Sequence, residues 1–250
     1  MIRLNRLGIP DGAPIYVKME SLNPSGSIRD RYIAEILERA VIAGMVLRGD
    51  TVVLAGLDDS AVAAAMMGGL LEVKTKIFAP EGTGFRLLPL VQRYGATLEW
   101  TDKAAGLAGA VEKAAAWGRS SMDRIYVDGY RREAVRDAYA GIAAEILQAL
   151  SGVKLGAFIT SVSTGGTFRN VARELRETRP MLNMGGAIIG DLELPDFKEH
   201  KFNRLQRFSL TEAFELRDQI AEREGILLGP KGAASVGLAL QLQDRVPADE

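Results

Sequence analysis

The sequence of 250 residues contains no cysteine and only one histidine, His200. Without cysteine the chain can form no disulfide, no thiolate nucleophile and no iron–sulfur cluster. A zinc motif with two histidines on a helix is also excluded, and a serine triad could use only His200. Because His200 lies between Glu199 and Lys201, we interpret it as a solvated surface residue. Any chemistry must therefore use carboxylates, lysine, arginine, hydroxyls, backbone amides or a bound cofactor.

Aromatic residues and an excess of one charge are also lacking. Aromatic residues make up 6% of the sequence, and 31 basic residues balance 32 acidic ones. We therefore expect no nucleic-acid partner, which would need a basic surface with stacking aromatics. The most apolar stretch, residues 61–71, is too short to span a membrane, and the first residues do not resemble a signal peptide. These features predict a cytoplasmic protein with no membrane segment.

Short β-rich runs alternate with helical patterns along nearly the whole chain. Continuously apolar strands that alternate with helices are typical of parallel sheets covered on both faces, so we predict an α/β fold. Strands are predicted over residues 15–17, 51–54, 75–79, 97–100, 124–127, 157–160, 186–189 and 226–228. Helices are predicted over 27–43, from 60 onward, and over 85–94, 103–117, 132–150, 168–177, 210–224 and 232–243.

Two local signals refine this pattern. Ser27 is predicted to be the N-cap of the first helix, and Asp30, three residues later, would complete a weak capping box. Residues 192–207 contain Pro195 and mixed charges, which predicts a surface loop.

A glycine-rich segment, Ser163-Thr164-Gly165-Gly166-Thr167, lies where a predicted strand leads into a helix. Its glycines allow close approach to the backbone, and the hydroxyls and free N–H groups at a helix start favour an anion such as phosphate or sulfate. The segment matches neither the Walker A motif nor the dinucleotide-binding GxGxxG motif. An ordinary tight turn with a threonine cap is an equally good interpretation of these residues alone.

Four stretches, taken together, carry a resemblance to a known family. Residues 3–7 read RLNRL, residues 16–31 read YVKMESLNPSGSIRDR, residues 163–167 read STGGT, and residues 224–234 read EGILLGPKGAA. In order and spacing they resemble the cysteine synthase (O-acetylserine sulfhydrylase) group of fold type II pyridoxal-phosphate enzymes. That family has an opening strand, an active-site segment K-x-E-x-x-N-P-x-x-S-V-K-D-R, a phosphate loop G-T-G-G-T and a stretch E-G-I-x-x-G-x-S-x-A-A.

The resemblance covers nearly the whole chain and implies an architecture. We expect two α/β subdomains, each with an open twisted, mostly parallel sheet flanked by helices. The smaller would span residues 24–130, and the larger would combine 1–23 with 131–250. A ligand cleft would lie between them, and the family implies a homodimer.

The first departure from the family falls on Arg29, which stands where the family has the lysine that forms the internal Schiff base. A guanidinium stays charged in proteins and cannot supply the free amine that an imine needs. Arg29 could still bind an anion, since its planar fork suits carboxylate or phosphate. A structural ion pair with Asp30, Glu20 or an aspartate of the substrate loop is the alternative interpretation.

The second departure is the substrate loop. Where the family has S/T-S-G-N-T-G, which binds the substrate carboxylate, this sequence has Leu57-Asp58-Asp59-Ser60-Ala61, with Asp59 at the asparagine position. Two carboxylates there would repel a substrate carboxylate, and we expect both to cap the following helix. We expect no metal site, because further oxygen ligands are not evident.

The third departure is at the end of the sequence, which stops at Glu250 before the family's strand that contacts the pyridine nitrogen. The turn over residues 229–232 is also one residue shorter than its family counterpart. Lys231, in this turn, is the substitute lysine that we keep open, whereas Lys18 matches a lysine that is a strand residue in the family.

These departures predict a homologue that holds no pyridoxal phosphate covalently and lacks β-replacement activity. It would act as a binding or regulatory protein, with a paralogous enzyme or another protein as partner, and the loop Ser163–Thr167 could still bind pyridoxal phosphate, phosphate or sulfate. One alternative is an active pyridoxal-phosphate-dependent lyase or transferase with a non-standard lysine. Another is a cofactor-independent enzyme that uses Asp58, Asp59 and Arg29, and a third is a product with no ligand.

Overall fold

The computed structural model describes residues 1–127, 132–191 and 202–246. The chain divides into two compact units. We call Glu20–Ala138 the central unit, and Met1–Met19 together with Tyr139–Glu250 the terminal unit. His200 and the residues around it, 192–201, lie outside the described residues.

The central unit is built on a parallel sheet of four strands in the order β5-β4-β3-β6. Its strands are β3 (Thr51–Ala55), β4 (Lys74–Pro80), β5 (Thr97–Thr101) and β6 (Arg124–Tyr126). Its helices are α1 (Arg29–Ile42), α2 (Asp59–Leu71), α3 (Leu88–Arg93) and α4 (Gly106–Arg119).

Both faces of this sheet are covered, which explains its apolar central strands. On one face Ile77 and Ala79 pack with the buried residues of α2 and with Val91 of α3. On the other face Val53 and Phe78 pack against Ala114 of α4. Helix α2 is apolar on nearly all sides, and residues 61–65 are buried, as expected for a helix in a core.

The terminal unit contains a two-stranded antiparallel pair and a parallel sheet of order β7-β8-β9. The strands are β1 (Ile2–Arg3), β2 (Tyr16–Val17), β7 (Ala157–Ser161), β8 (Asn183–Ile189) and β9 (Arg204–Phe208). The helices are α6 (Gly166–Thr178), α7 (Leu210–Glu224) and α8 (Pro230–Leu242). Helix α5 (Arg132–Ala149) begins in the central unit and ends in the terminal unit.

The N-terminal segment is held to the end of the chain by two polar side chains. The Glu224 carboxylate accepts hydrogen bonds from the backbone N–H groups of residues 5, 6 and 7, at 2.9, 2.7 and 2.6 Å. Gln243 donates to the Ala13 carbonyl at 2.7 Å and accepts from the Ile9 N–H at 2.8 Å. Beneath this segment, Leu4 packs with Ile220 and Val236.

The α/β fold predicted from the sequence is confirmed, with parallel sheets flanked by helices. Two predicted elements were wrong. Residues 226–228 form a loop and no strand, because Ile226 packs into the core directly after the left-handed Gly225 and α8 begins at Pro230. The predicted loop 192–207 contains the start of β9, a polar edge strand that pairs with β8 on one side.

The predicted helix 85–94 is shorter, since α3 covers only Leu88–Arg93. Residues 85–87 form a turn, because Pro89 has no N–H to donate and is tolerated only in the first turn of a helix. Among the described residues, no helix is long and apolar enough to cross a membrane, and no group of acidic or histidine side chains could hold a metal ion.

Candidate functional site

A hydrogen-bonded turn precedes α1 and fixes the position of Arg29. Asn23 Nδ2 donates to Glu20 Oε2 at 2.8 Å and to the Ser27 carbonyl at 3.0 Å. Arg31 forms a two-point ion pair with Glu20, with distances of 2.7 and 3.0 Å. Gly26 adopts a φ of +89°, which a glycine reaches without strain. The turn is therefore held by its own side chains.

The cap of α1 differs from the sequence prediction. The helix begins at Arg29, its N-cap position is Ile28, and the Ser27 hydroxyl accepts from the Arg29 N–H at 3.0 Å. Asp30 does not complete a capping box with Ser27. Its buried carboxylate instead accepts from the Ser25 N–H at 2.7 Å and from the Ser25 hydroxyl, because the turn brings Ser25 back over the first turn of the helix.

Arg29 lies beside an aromatic ring. Its guanidinium carbon is 5.6 Å from the centroid of the Tyr32 ring, within the range of a cation–π contact. The Glu20 carboxylate pairs with Arg31, and the Asp30 carboxylate accepts hydrogen bonds from Ser25. A charged, delocalised group therefore occupies the position at which the resemblance expects a free amine.

The start of α2 is capped by a carboxylate. Asp58 has the extended backbone of an N-cap, and its Oδ1 accepts from the N–H groups of Ser60 at 2.9 Å and Ala61 at 3.4 Å. Asp59 is the first residue of the helix and is exposed, as is Asp58. The predicted cap is thus confirmed for Asp58, whereas Asp59 places a second negative charge near the positive end of the helix dipole.

A buried hydrogen bond joins these two helix starts. The Tyr32 hydroxyl donates to Ser60 Oγ at 2.5 Å, and both side chains are buried. Arg29, Tyr32, Ser60 and Asp58 are thus connected through successive contacts within the central unit. Sequence reasoning missed Tyr32, although its place three residues after Arg29, on the same face of α1, is a signal that could have found it.

The glycine segment lies in the terminal unit, between β7 and α6. Gly165 is the N-cap of α6 with a φ of +81°, a conformation that suits glycine. The interpretation as a threonine-capped turn is wrong: among the described residues no side chain caps this helix start. The first N–H groups of α6, a helix of 13 residues, are therefore suited to an anion such as phosphate.

The two alternative lysines also lie in the terminal unit. Lys231 is exposed at the second position of α8, which begins with Pro230. Lys18 Nζ lies 2.7 Å from Glu145 Oε2 in an ion pair. Arg29, Asp58, Asp59 and Ser60 therefore lie in the central unit, where Tyr32 contacts both Arg29 and Ser60, and Ser163–Thr167 and Lys231 lie in the terminal unit.

Two units that each contain a parallel sheet, with a glycine turn that leads from a strand into a helix in one of them, define an α/β protein. Residues 1–189 match the family described as "Pyridoxal-phosphate dependent enzyme". The chain belongs to this family, and within it the chain is cysteine-synthase-like.

Curated relatives agree with this placement, and a solved structure has a similar fold. The chain is 26% identical to the O-acetylserine dependent cystathionine beta-synthase of Bacillus subtilis (strain 168), over 96% of this chain and 85% of that protein. It is 27% identical to cysteine synthase B of Pseudomonas aeruginosa, over 97% of this chain and 85% of that protein. The fold is similar to that of O-ureido-L-serine synthase, with a TM-score of 0.87 and 23% identity, over 99% of this chain and 84% of that structure.

The glycine segment fits the phosphate group of pyridoxal phosphate, whereas position 29 does not fit its covalent attachment. The glycine segment, with its left-handed Gly165 and uncapped helix start, suits the phosphate group. The donor set at position 29 does not suit covalent attachment, because a guanidinium has no amine that can become neutral. No covalent step therefore follows from this structure.

Proposed function

We propose that this chain is a member of its family that does not hold pyridoxal phosphate covalently and does not catalyse β-replacement. The observation that carries the proposal is Arg29. The Ser27 hydroxyl accepts from its backbone N–H, and its side chain contacts the Tyr32 ring. The group at this position is therefore a guanidinium, where the family has a lysine amine.

The start of α2 supports the same conclusion. The Asp58 carboxylate already accepts from the N–H groups of Ser60 and Ala61, which a carboxylate ligand would need. Asp58 and Asp59 would also repel such a ligand through their charge. Compared with the family pattern, a guanidinium therefore replaces an amine at the start of α1, and two carboxylates are added at the start of α2.

The proposed role is that of a binding or regulatory protein. The loop Ser163–Thr167 would hold a phosphate, a sulfate or the phosphate group of non-covalent pyridoxal phosphate. A cofactor bound in this way could still supply its electron-accepting ring, but the family's covalent cycle needs a lysine amine. We propose a homodimer that works in the cytoplasm, with a paralogous enzyme or another protein as partner.

The absorbance spectrum of the purified protein with pyridoxal phosphate tests the covalent part of this proposal. We expect no band of a lysine adduct, no borohydride-trapped peptide by mass spectrometry, and no cysteine formed from O-acetylserine and sulfide. Trapping of the cofactor on any lysine of the unmodified chain, Lys231 or Lys18 included, would refute the proposal in favour of an active enzyme with a non-standard lysine.

Arg29→Lys is the informative variant, and Arg29→Gln is its control. Both remove the guanidinium, but only lysine supplies an amine, so we expect a trapped adduct at position 29 in R29K and none in R29Q. Capture of partner proteins from the native extract by the unmodified chain tests the regulatory role, and recovery of no partner would count against it.

A further inference from the structure

Four basic side chains lie close together on the face of the central sheet that α4 covers. They are Lys74 and Lys76 of β4, Arg124 of β6 and Lys113 of α4, and we call them the basic cluster. Among them lies the Trp117 ring of α4, whose centroid is 5.0 Å from Lys76 Nζ and 3.8 Å from Arg124 Cζ. The side chains of Lys76, Lys113 and Arg124 are 23%, 51% and 29% exposed, and Lys74 is exposed as well. The cluster is therefore accessible from solvent.

Glu99 is shared by two members of the basic cluster. Its Oε2 lies 2.8 Å from Lys76 Nζ, and its Oε1 lies 2.8 Å from Lys113 Nζ. The hydrogen bond from Lys113, and then that from Lys76, lowers the pKa of the Glu99 carboxyl below its ordinary value. One negative charge therefore stands between two ammonium groups, and one of the two positive charges is not compensated.

Asp123 is shared in the same way by the other two members. The Ser121 hydroxyl donates to the Asp123 carboxylate and lowers its pKa, and the charges of Arg124 and Lys74 act in the same direction. The Asp123 Oδ1 lies 3.9 Å from Arg124 Nε. In the part of the chain that the structure describes, no third carboxylate forms an ion pair with the basic cluster. Four cations thus meet two carboxylates, although the whole chain has a net charge of −1.

The basic cluster lies at the opposite edge of the central sheet from the start of α2. Lys74 and Arg124 are the first residues of their strands, and both are in register with Thr51, the first residue of β3. Asp58 comes after the last residue of β3, so it lies beyond the other edge of this parallel sheet. The cluster is therefore a surface separate from the candidate site.

The excess positive charge is divided between two places, one at each shared carboxylate. Lys76 and Arg124 are on β4 and β6, which are two strands apart and so about 10 Å from backbone to backbone. Alternate side chains of an extended polypeptide lie about 7 Å apart on one face, so two acidic side chains of one segment can reach both places. A single small anion such as phosphate would meet only one of them.

A nucleic acid fits this surface less well. Nucleic acids bind to broad basic surfaces with aromatic faces on which bases stack. Arg124 lies over the Trp117 ring, and the chain as a whole is not basic. An acidic segment of a protein needs only the two separated positive charges.

We propose that the basic cluster binds an extended acidic segment of a partner protein, whose carboxylates pair with Lys113 at one place and with Arg124 at the other. This inference rests on the protein partner of the proposed function and specifies the partner's chemistry and the surface that it meets. Ammonium and guanidinium groups bind carboxylates through charge-assisted hydrogen bonds. Complementary charge of this kind determines the choice of partner and speeds its association.

Isothermal titration of the full chain with the peptide acetyl-ESESES-amide measures this binding. We expect the peptide to bind and its lysine counterpart, acetyl-KSKSKS-amide, not to bind. Lys113→Gln and Arg124→Gln each remove one charge of the cluster, so each should weaken binding of the acidic peptide about 5-fold, the effect of one partly exposed ion pair. Lys103→Gln is the matched control, because Lys103 is exposed after β5 at the other edge of the sheet and should leave the affinity unchanged.

Glu99→Gln separates a binding role of the cluster from a purely structural one. The substitution removes the carboxylate that Lys76 and Lys113 share, so we expect the acidic peptide to bind about 5-fold more tightly even though two ion pairs are lost. Glu112→Gln changes the net charge equally at an exposed residue of α4 and should not change the affinity. If E99Q binds the peptide no better than E112Q does, the cluster has only a structural role and the inference is wrong.

Two further outcomes would overturn the inference. One is equal binding of the acidic and the lysine peptide, and the other is tighter binding of a short oligothymidylate than of the acidic peptide. Far-UV circular dichroism of each variant checks that a change in affinity does not come from loss of the fold.

Capture from the native extract distinguishes this inference from the proposed function. A partner that the unmodified chain and K113Q capture equally well would refute this surface and leave the regulatory role standing. If the peptide results hold and no partner is captured, the acidic-segment site stands and the regulatory role is refuted. Neither result bears on covalent cofactor binding, which the absorbance spectrum measures independently.

Discussion

Arg29 places a positive charge at the start of α1, and Asp58 places a negative charge at the start of α2. At position 29 a permanent positive charge contacts an aromatic ring, and at position 58 a carboxylate occupies the N–H groups of α2. The buried hydrogen bond between Tyr32 and Ser60 holds these two starts together. Because both ends of this bond are withdrawn from water, its loss leaves Ser60 without that partner.

We therefore expect Tyr32→Phe to destabilise the central unit by about 1 kcal/mol. Urea unfolding followed by tryptophan fluorescence measures this effect, because both tryptophans, Trp100 and Trp117, lie in the central unit. Tyr94→Phe, at a partly exposed tyrosine, should change little. If the two residues act as a pair, Y32F/S60A will cost less than the sum of the two single variants, and strict additivity would contradict the coupling.

At the scale of elements, the connection from β7 to α6 depends on one left-handed residue. Gly165 has a φ of +81° immediately before the helix, and no side chain among the described residues caps the first N–H groups of α6. An alanine there costs about 1–2 kcal/mol of backbone strain. We therefore expect the same residue to determine both the stability of the turn and its suitability for an anion.

We predict that Gly165→Ala loses stability and also loses phosphate binding. Gly152→Ala is the matched control, because Gly152 has a φ of +85° and open space around its missing Cβ. Both variants should lose similar stability in thermal unfolding, whereas isothermal titration with inorganic phosphate should weaken only for G165A. Equal phosphate affinity in the two variants would show that the loop is no anion site.

At the scale of the whole molecule, residues far apart in the chain hold the N-terminal segment in place, since Glu224 binds the backbone of residues 5–7. Burial of Glu224 acts to raise the pKa of its carboxyl, but hydrogen bonds from the N–H groups of Asn5, Arg6 and Leu7 outweigh this effect, so the pKa lies below its ordinary value. A depressed folded-state pKa adds stability above the unfolded-state pKa, about 4.3. This stability disappears as the pH falls through the lower pKa of the folded state.

Glu224→Gln is therefore expected to destabilise the protein by about 1.5 kcal/mol at pH 7, the lower end for hydrogen bonds to a charged group. Below about pH 4 the difference from the unmodified protein should shrink as the native carboxylate becomes protonated. Urea unfolding followed by far-UV circular dichroism at both pH values measures it. Glu222→Gln, on the same helix and exposed, should show no such pH dependence.

Local signals explain which elements the sequence predicts well. The bounds of α7 agree with the predicted residues 210–224, because Ser209 and Glu212 form a capping box at its start and Gly225 ends it in the left-handed conformation. Such signals act over three or four residues. The fold class also follows from the sequence, because apolar strands and helical periodicity repeat along the chain.

Contacts between distant residues were not predictable in the same way. Residues 226–228 have the composition of a strand, but Ile226 packs with Leu4, more than 200 positions away, and does not pair in a sheet. The bond between Tyr32 and Ser60 depends on how α1 and α2 pack, and the bond between Asp30 and Ser25 depends on the turn at Gly26. In the candidate site, the residue types and the local cap by Asp58 were therefore predictable from the sequence, and the partners of Tyr32 and Asp30 were not.

The closure of the chain by Glu224 and Gln243 has a consequence for synthesis on the ribosome. The central unit is one continuous segment, so its core can form while the later residues are still being made. The first 19 residues emerge earlier, but their polar partners, Glu224 and Gln243, and the apolar residues of α7 and α8 that they pack against are translated after the central unit. Until then Leu4 and its neighbours lack the apolar side chains that cover them in the folded unit.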